Sequence, residues 1–446
     1  MFFLPLKRFA SLGWFGLPKE ITFAKIFIVL TFVLWLINVI IKKDSSLISS
    51  PFRRALNTAV LLYLVVSTLS IFNATVPGAA LAVIAKRVFV VILCILIANI
   101  ACEEKIFRNA IIAYIMGNVL HPLSGIYEFI TGKPIINTEN IVYLNWREGN
   151  LFQEEGGIRI QGLSTDPDYQ AYILVIAIGI VLATIFNSQI VRSKMNRILL
   201  FVLFILMMGN IFLASSRTGW IGILITVSTF VSLVQIRHKK RLVLGVLFLA
   251  STTFACLAVF SNTPMLLRLT GSGGQSSISL RLADLKLALS AFRSHPILGI
   301  GTGNAPIVKY RWFKTVPGYT EVEGVDNFMN GYLQILAENG LIGFSVYLFV
   351  IFSFIFMLIR LITSSQNHWQ RTMALGLLSS FLGHLAMLIG YFIPDSEFAW
   401  MVMGLGMVLF QFHEAETKEM SNDRASSWMG AIPYPQRGRV PGISNS

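Results

Sequence analysis

Charge is what this sequence has least of. Asp, Glu, Lys and Arg make up only 13% of its 446 residues, while 55% are hydrophobic; soluble domains carry about 25% charge, so an ordinary soluble surface is excluded. Cysteine is scarce too, with three residues. Cys94, Cys102 and Cys256 lie in or beside apolar segments with no paired spacing, which argues against a disulfide framework or a cysteine metal site. Acidic residues are few, 22 against 36 basic, giving a net charge of +14. The basic residues sit in short links between apolar blocks, so the excess reads as membrane topology and no nucleic-acid partner is expected. No internal repeat of the kind carried by inverted-repeat transporters is evident.

Long apolar runs are what the sequence has instead. A helix needs roughly 20 apolar residues to cross about 30 Å of hydrocarbon, and about eleven blocks qualify. They cover 24–41, 56–73, 84–101, 108–130, 170–187, 198–214, 218–236, 241–260, 341–362, 372–393 and 397–412. The expected fold class is all-α: a polytopic transmembrane bundle of 11 to 12 spans with one large, partly helical outer loop. The first block is followed by Lys42, Lys43 and Asp44 without a small-residue cleavage site, so it is expected to stay as a span. The most basic links, Lys42 to Arg54, Arg192 to Arg197 and Arg237 to Arg241, fall on one side of the alternating count, which is assigned to the cytoplasm. The expected organisation is an interfacial or inserted segment at 1–23, spans at 24–260, an outer loop at 261–340, spans at 341–412 and a flexible cytoplasmic tail at 413–446. A twelfth crossing around Phe2 to Leu17 would resolve the basic residues Lys7, Arg8, Lys19 and Lys25.

The outer loop has helical signals of its own. After the turn Gly271 to Gly274, Leu282, Leu285, Leu289 and Phe292 recur at helical spacing, with Ser277 or Ser279 as a cap. A second helix is expected from Asp326 to Gly340, with Phe328, Tyr332, Ile335 and Leu336 on its apolar face. Arg159, Arg217 and Arg281 fall outside or at the outer face. Arg217, in Ala214-Ser215-Ser216-Arg217-Thr218-Gly219-Trp220, breaks two apolar spans; it either meets an anion there or marks a helix end. A guanidinium holds two phosphate oxygens at once, which suits a diphosphate headgroup. Gly299-Ile300-Gly301-Thr302-Gly303-Asn304 lacks the strand that a dinucleotide loop follows, and that reading is rejected. His121 and His384 inside spans are read as hydrogen-bonded within the bundle as readily as functional.

Three stretches, Leu213 to Gly222, Arg281 to Gly303 with His295-Pro296, and Asn327 to Gly343, resemble in this order the core signature of the bacterial O-antigen ligase and polysaccharide polymerase superfamily. Arg159-Ile160-Gln161-Gly162 followed by Asp166-Pro167-Asp168 is similar to that family's element ahead of its central spans. The resemblance implies an inverting, metal-independent glycosyltransferase without cofactor, at the periplasmic face of a bacterial inner membrane. Its donor would be a glycan on polyprenyl (undecaprenyl) diphosphate, its acceptor a glycan or lipid A-core, with membrane lipids around it and a chain-length regulator as a further partner. By this analogy Arg217 and Arg281 are catalytic and hold the diphosphate, Arg159 binds nearby, and Asn330 and Tyr332 contact substrate; Lys309, Arg311 and Lys314 are either helpers or solvated surface.

One position departs from the pattern. Where many ligases of the family place a histidine before the asparagine, this chain has Met329-Asn330. A thioether cannot usefully accept a proton, so Asp326 and His295 are the substitute catalytic candidates, with Glu338 a third, each weighed against a cap, a turn and a surface helix position. The departure moves the reading from ligase toward polymerase. A transporter or lipid-linked glycan flippase is the rival, although its ionisable features would concentrate at mid-membrane and not in outer loops and span ends.

Overall fold

A computed structural model of the chain describes residues 1–6, 22–42, 51–133, 135, 152–154, 157–164, 166–234, 272–313 and 327–430. Twelve α-helices run through these residues: α1 (Phe23–Lys42), α2 (Pro51–Leu69), α3 (Pro77–Ile100), α4 (Glu104–Thr131), α5 (Pro167–Ile185), α6 (Lys194–Leu213), α7 (Arg217–Leu233), α8 (Ser272–Ser294), α9 (Ala305–Phe313), α10 (Gly331–Ser364), α11 (His368–Met387) and α12 (Glu397–Gly430). A 3-10 turn, Ser70–Asn73, extends α2. The β-structure among the described residues is one antiparallel hairpin, β1 (Phe152–Glu154) with β2 (Gly157–Arg159), in which Phe152 faces Arg159.

Eight of these helices are long and apolar enough to cross a membrane, and α7 is a shorter apolar helix. The protein is a polytopic helical membrane bundle. Ten of the eleven expected blocks are helices; the block at 241–260 lies outside the described residues. Burial grades from core to rim: 83% of the apolar window of α5 is inside the bundle and none of that of α1. α1 presents Phe27, Leu30, Leu34 and Ile40 outward, a surface that hydrocarbon and not water must cover. α5 can sit at the centre because it packs closely on α11. A Cβ on Gly179 would lie 2.7 Å from the Gly376 carbonyl oxygen, so the two backbones touch where helices with larger side chains could not.

The links between helices segregate to two ends. One end gathers Arg192, Lys194 and Arg197 around the start of α6, Lys105 and Arg108 at the start of α4, and Arg360 and Arg371 where α10 hands over to α11. The other end gathers the starts of α5, α7, α10 and α12, the end of α11, and the small subdomain of α8 and α9. That subdomain has its own core of Leu287, Ala288, Ala291, Ile300, Ala305, Phe328 and Ala337.

Several local expectations change. α8 begins at Ser272, so the run after Gly271 is helical and Ser277 and Ser279 lie inside the helix, not at its cap. Its buried face is Asp284, Leu287, Ala288 and Ala291, while Leu282 and Leu285 are exposed. Asp284 and the two alanines turn inward beside Leu287 because α8 packs closely on α9 and α10, leaving Leu282 and Leu285 outside and Leu289 half-buried. The second loop helix starts at Gly331, capped by Asn330, whose side chain accepts from the Tyr332 and Leu333 backbone N–H groups, 3.0 Å each. Asp326, the expected start, lies outside the described residues. The expected stop at Gly340 is present as a break within α10: the backbone leaves helical geometry there, with φ 64°, and a second helical segment runs on to Ser364. α12 runs to Gly430, past the boundary expected at Phe412.

Candidate functional site

The glycine run 299–304 is the seam between the subdomain and the bundle. Gly299, Gly301 and Gly303 all have positive φ. At Gly301 a Cβ would lie 2.6 Å from Ala74 Cα, so the loop lies flat on the turn after α2, an approach only glycine permits. Thr302 and Asn304 then enter a buried polar knot. Arg87 on α3 donates from Nε to Asp395 Oδ2 (2.7 Å) and from Nη1 to Ser67 Oγ (2.6 Å) and Asn339 Oδ1 (3.1 Å). Tyr63 Oη donates to Asp395 Oδ1 (2.9 Å), and the Arg87 guanidinium lies over the Tyr63 ring at 4.8 Å. Asn339 Nδ2 donates to Thr302 Oγ1 (2.7 Å). Sequence reasoning passed over Arg87 and Asp395; for Arg87 a charge inside an apolar span was the available signal.

Asp395 belongs to the link 388–396 between α11 and α12, and the predicted site residues converge on this link. Its backbone recruits α10: Gly331 N–H donates to Leu388 O (2.8 Å) and Asn330 Nδ2 donates to Ile389 O (2.9 Å). One turn earlier, Tyr332 Oη donates to Leu385 O (2.8 Å). Gly390 leaves room for two cationic elements, since a Cβ there would lie 2.5 Å from Thr218 Cγ2 and 3.1 Å from Arg281 Nη1. Thus Arg281 of α8 reaches the first turn of α7, which begins with Arg217.

Arg217 is the first residue of α7, after Ser216, whose Oγ accepts from the Gly219 N–H (3.1 Å), and after Ser215 in the left-handed region at φ 51°. Arg159 is joined to this turn from below. Its Nε donates to Ala214 O (3.0 Å), and its Nη2 stands 3.5 Å from Asp168 Oδ2. Glu128 holds the strand end in place, accepting from the Gln161 and Gly162 N–H groups (2.9 and 2.7 Å). Asp166 caps α5 through the Tyr169 N–H (2.9 Å) and accepts from Tyr391 Oη (2.9 Å), closing the circle back to the link. Burial first, then the neighbouring Asp166 and Asp168 carboxylates, hold the Tyr391 phenol well above its ordinary range, so it stays a donor.

A cavity of about 240 Å³ opens beside Arg281, lined by Asp284, Met329, Asn330, Leu333 and Ile389 among others. Three guanidinium-bearing segments and the N-termini of α5, α7 and α10 therefore meet at one end of the bundle. Helix N-termini carry about half a positive charge; here first-turn N–H groups are already taken by Asp166, Ser216, Asn330 and the Leu388 carbonyl, so the helix dipoles and the arginines are what an anion would meet.

Other expectations fall outside this cluster. His295 is exposed on the turn after α8, with Nδ1 3.0 Å from Ser294 Oγ, and its hydrogen bonds are local. Glu338, expected as a surface helix residue, is fully buried in the seam, where Oε1 accepts from the Ala305 N–H (3.3 Å) and Gln334 Nε2 (3.4 Å). Lys309 is buried against Asp284 at 3.0 Å and not solvated, Arg311 is exposed, and Lys314 and Asp326 are outside the described residues. His121 bonds Gln170 and Pro5 O, and His384 bonds Tyr172, so both are satisfied inside the bundle. Among the described residues no group of histidine, cysteine and acidic side chains could hold a metal ion.

The cluster lies at one end of a polytopic helical membrane bundle. The O-Antigen ligase family model matches residues 202–348, from the middle of α6 to the middle of α10. The resemblance drawn from the motifs is upheld over this stretch, about a third of the chain, and the match supports an O-antigen ligase-related superfamily. The match contains Arg217, Arg281, His295, Asn330 and Tyr332, and the Arg159 element precedes it. It indicates a function of the O-antigen ligase or polymerase type. No curated protein matches the chain.

Proposed function

We infer that the protein is a glycosyltransferase that moves or polymerises glycan from a polyprenyl diphosphate carrier at the periplasmic face of a bacterial inner membrane, with polymerase favoured over ligase. The observation that carries this reading is the convergence of Arg281, the Arg217 turn and the Arg159 strand on the link between α11 and α12. A sugar hydroxyl attacks the anomeric carbon, the bond to the diphosphate breaks, and the carrier leaves as a diphosphate anion. Negative charge grows on the leaving group, so cations and N–H dipoles fixed beforehand stabilise the transition state more than the ground state. Nothing in this scheme calls for a metal ion, because the arginines supply the positive charge. Asp326, just ahead of the segment that carries Asn330, is the acid–base candidate by sequence position, with His295 the alternative. The loop 261–340 is the outer domain, and the basic end of the bundle, with the tail 413–446, faces the cytoplasm.

Purified protein reconstituted with a polyprenyl diphosphate-linked repeat unit is expected to lengthen glycan without added lipid A-core. Product that forms only with lipid A-core would favour the ligase reading. Arg217→Ala and Arg281→Ala are each expected to lower kcat by roughly 10²–10³, the usual cost of removing one transition-state donor. Lysine should restore activity only in part, because it lacks the planar fork. Failure of purified protein to form any product would favour the flippase or transporter alternative.

A further inference from the structure

Beneath Arg281, on the same face of α8, lies an ion pair that the proposed chemistry does not use. Asp284 and Lys309 are both buried. Lys309 Nζ stands 3.0 Å from Asp284 Oδ1 and donates to Oδ2 at 3.1 Å. The same Oδ2 accepts from the Met329 N–H at 3.1 Å, and Lys309 also donates to Asn327 O at 3.2 Å. Two charges on α8 and α9 thus grip the backbone of residues 327 and 329, the segment that delivers Asn330 to the link.

Stability does not explain such a pair. A buried ion pair is often matched or bettered by apolar residues of the same size, since desolvation offsets its attraction. The subdomain around it is already closed by the apolar cluster of Leu287, Ala288, Ala291 and Phe328. What the pair adds is direction. Arg281 and Asp284 are three residues apart on one helix and so lie on neighbouring turns of one face, and both line the cavity with Met329 and Asn330. Fixing Asp284 to the 327–329 backbone therefore fixes the distance between the Arg281 guanidinium and the Asn330 cap.

We propose that Asp284 and Lys309 are positioning residues for the diphosphate site: they lock α8 against the start of α10 so that Arg281 is aimed at the Gly390 turn. The proposal rests on the reading of that site as a diphosphate site.

The test uses the full chain in detergent, with farnesyl diphosphate as the binding probe and the thermal midpoint recorded in parallel. A misplacement of about 1 Å costs on the order of a hundredfold in rate, so Asp284→Ala is expected to weaken farnesyl diphosphate binding by roughly tenfold and to lower kcat of transfer more than it raises KM. The double variant Asp284→Ala/Arg281→Ala should be no worse than Arg281→Ala, because the carboxylate acts through the guanidinium. Asp284→Asn keeps an acceptor for the Met329 N–H and should recover part of the loss. Should Asp284→Ala fail to fold, Asp284→Leu/Lys309→Met carries the same test without leaving a lone buried charge. Wild-type binding by Asp284→Ala, or losses that add in the double variant, overturns the positioning role. If Arg281→Ala also binds like wild type, the diphosphate reading fails and takes the proposal with it.

Discussion

At the scale of single residues, the charges of this protein divide into those open to solvent or a cavity and those already spent on structure. Arg281 is exposed and opens on a cavity, whereas Arg87 is buried and locked to Asp395, Ser67, Asn339 and Thr302. Removing one member of such a buried pair strands the other, at a cost of about 3–5 kcal/mol. Arg87→Met is therefore expected to lower the unfolding midpoint sharply, and Arg87→Met/Asp395→Leu to recover most of it; equal midpoints for the two variants would contradict the account. Arg217 and Arg281 were legible because short polar motifs surround them. Arg87 was not: its partner lies 308 residues away, and sequence spacing holds no trace of a contact made by helix packing. The substitutes for the missing histidine fared unevenly for the same reason. His295 points to its own turn, and Glu338 is buried under the glycine loop.

At the scale of elements, apolar length located nearly every span, since the hydrocarbon thickness sets it directly. Helix faces in the outer subdomain were harder. The expected stripe of α8 matches a helical period, but its Leu282 and Leu285 face outward, because the tight three-helix contact is made by Asp284, Leu287, Ala288 and Ala291. The break in α10 was legible because glycine normally marks a helix end, and a second helical segment resumes directly after it. Gly340 takes φ 64°, and a Cβ there would run into the Ile297 carbonyl. Gly340→Ala is expected to destabilise the protein by about 1–3 kcal/mol and to displace the Asn330 end relative to the span. Proteolysis of the 299–304 loop, faster in the variant than in wild type, would report that loosening; equal rates would argue for a rigid joint.

At the scale of the whole molecule, the division into a basic end and a site end agrees with the charge rule that orients membrane proteins. A cysteine placed at the exposed His295 should react with an impermeant maleimide applied to intact spheroplasts, and one placed at Arg371 only after lysis. The reverse pattern would put the site in the cytosol and remove any lipid-borne periplasmic donor from its reach. The link 388–396 adds a constraint of a different kind. It engages α10 with main-chain carbonyls and the buried knot with Asp395, so the number of residues between those contacts matters more than which apolar side chains fill the gap. A single inserted residue would put those carbonyls out of phase with α10, and the cationic pocket would lose its common anchor while every arginine remained in the chain.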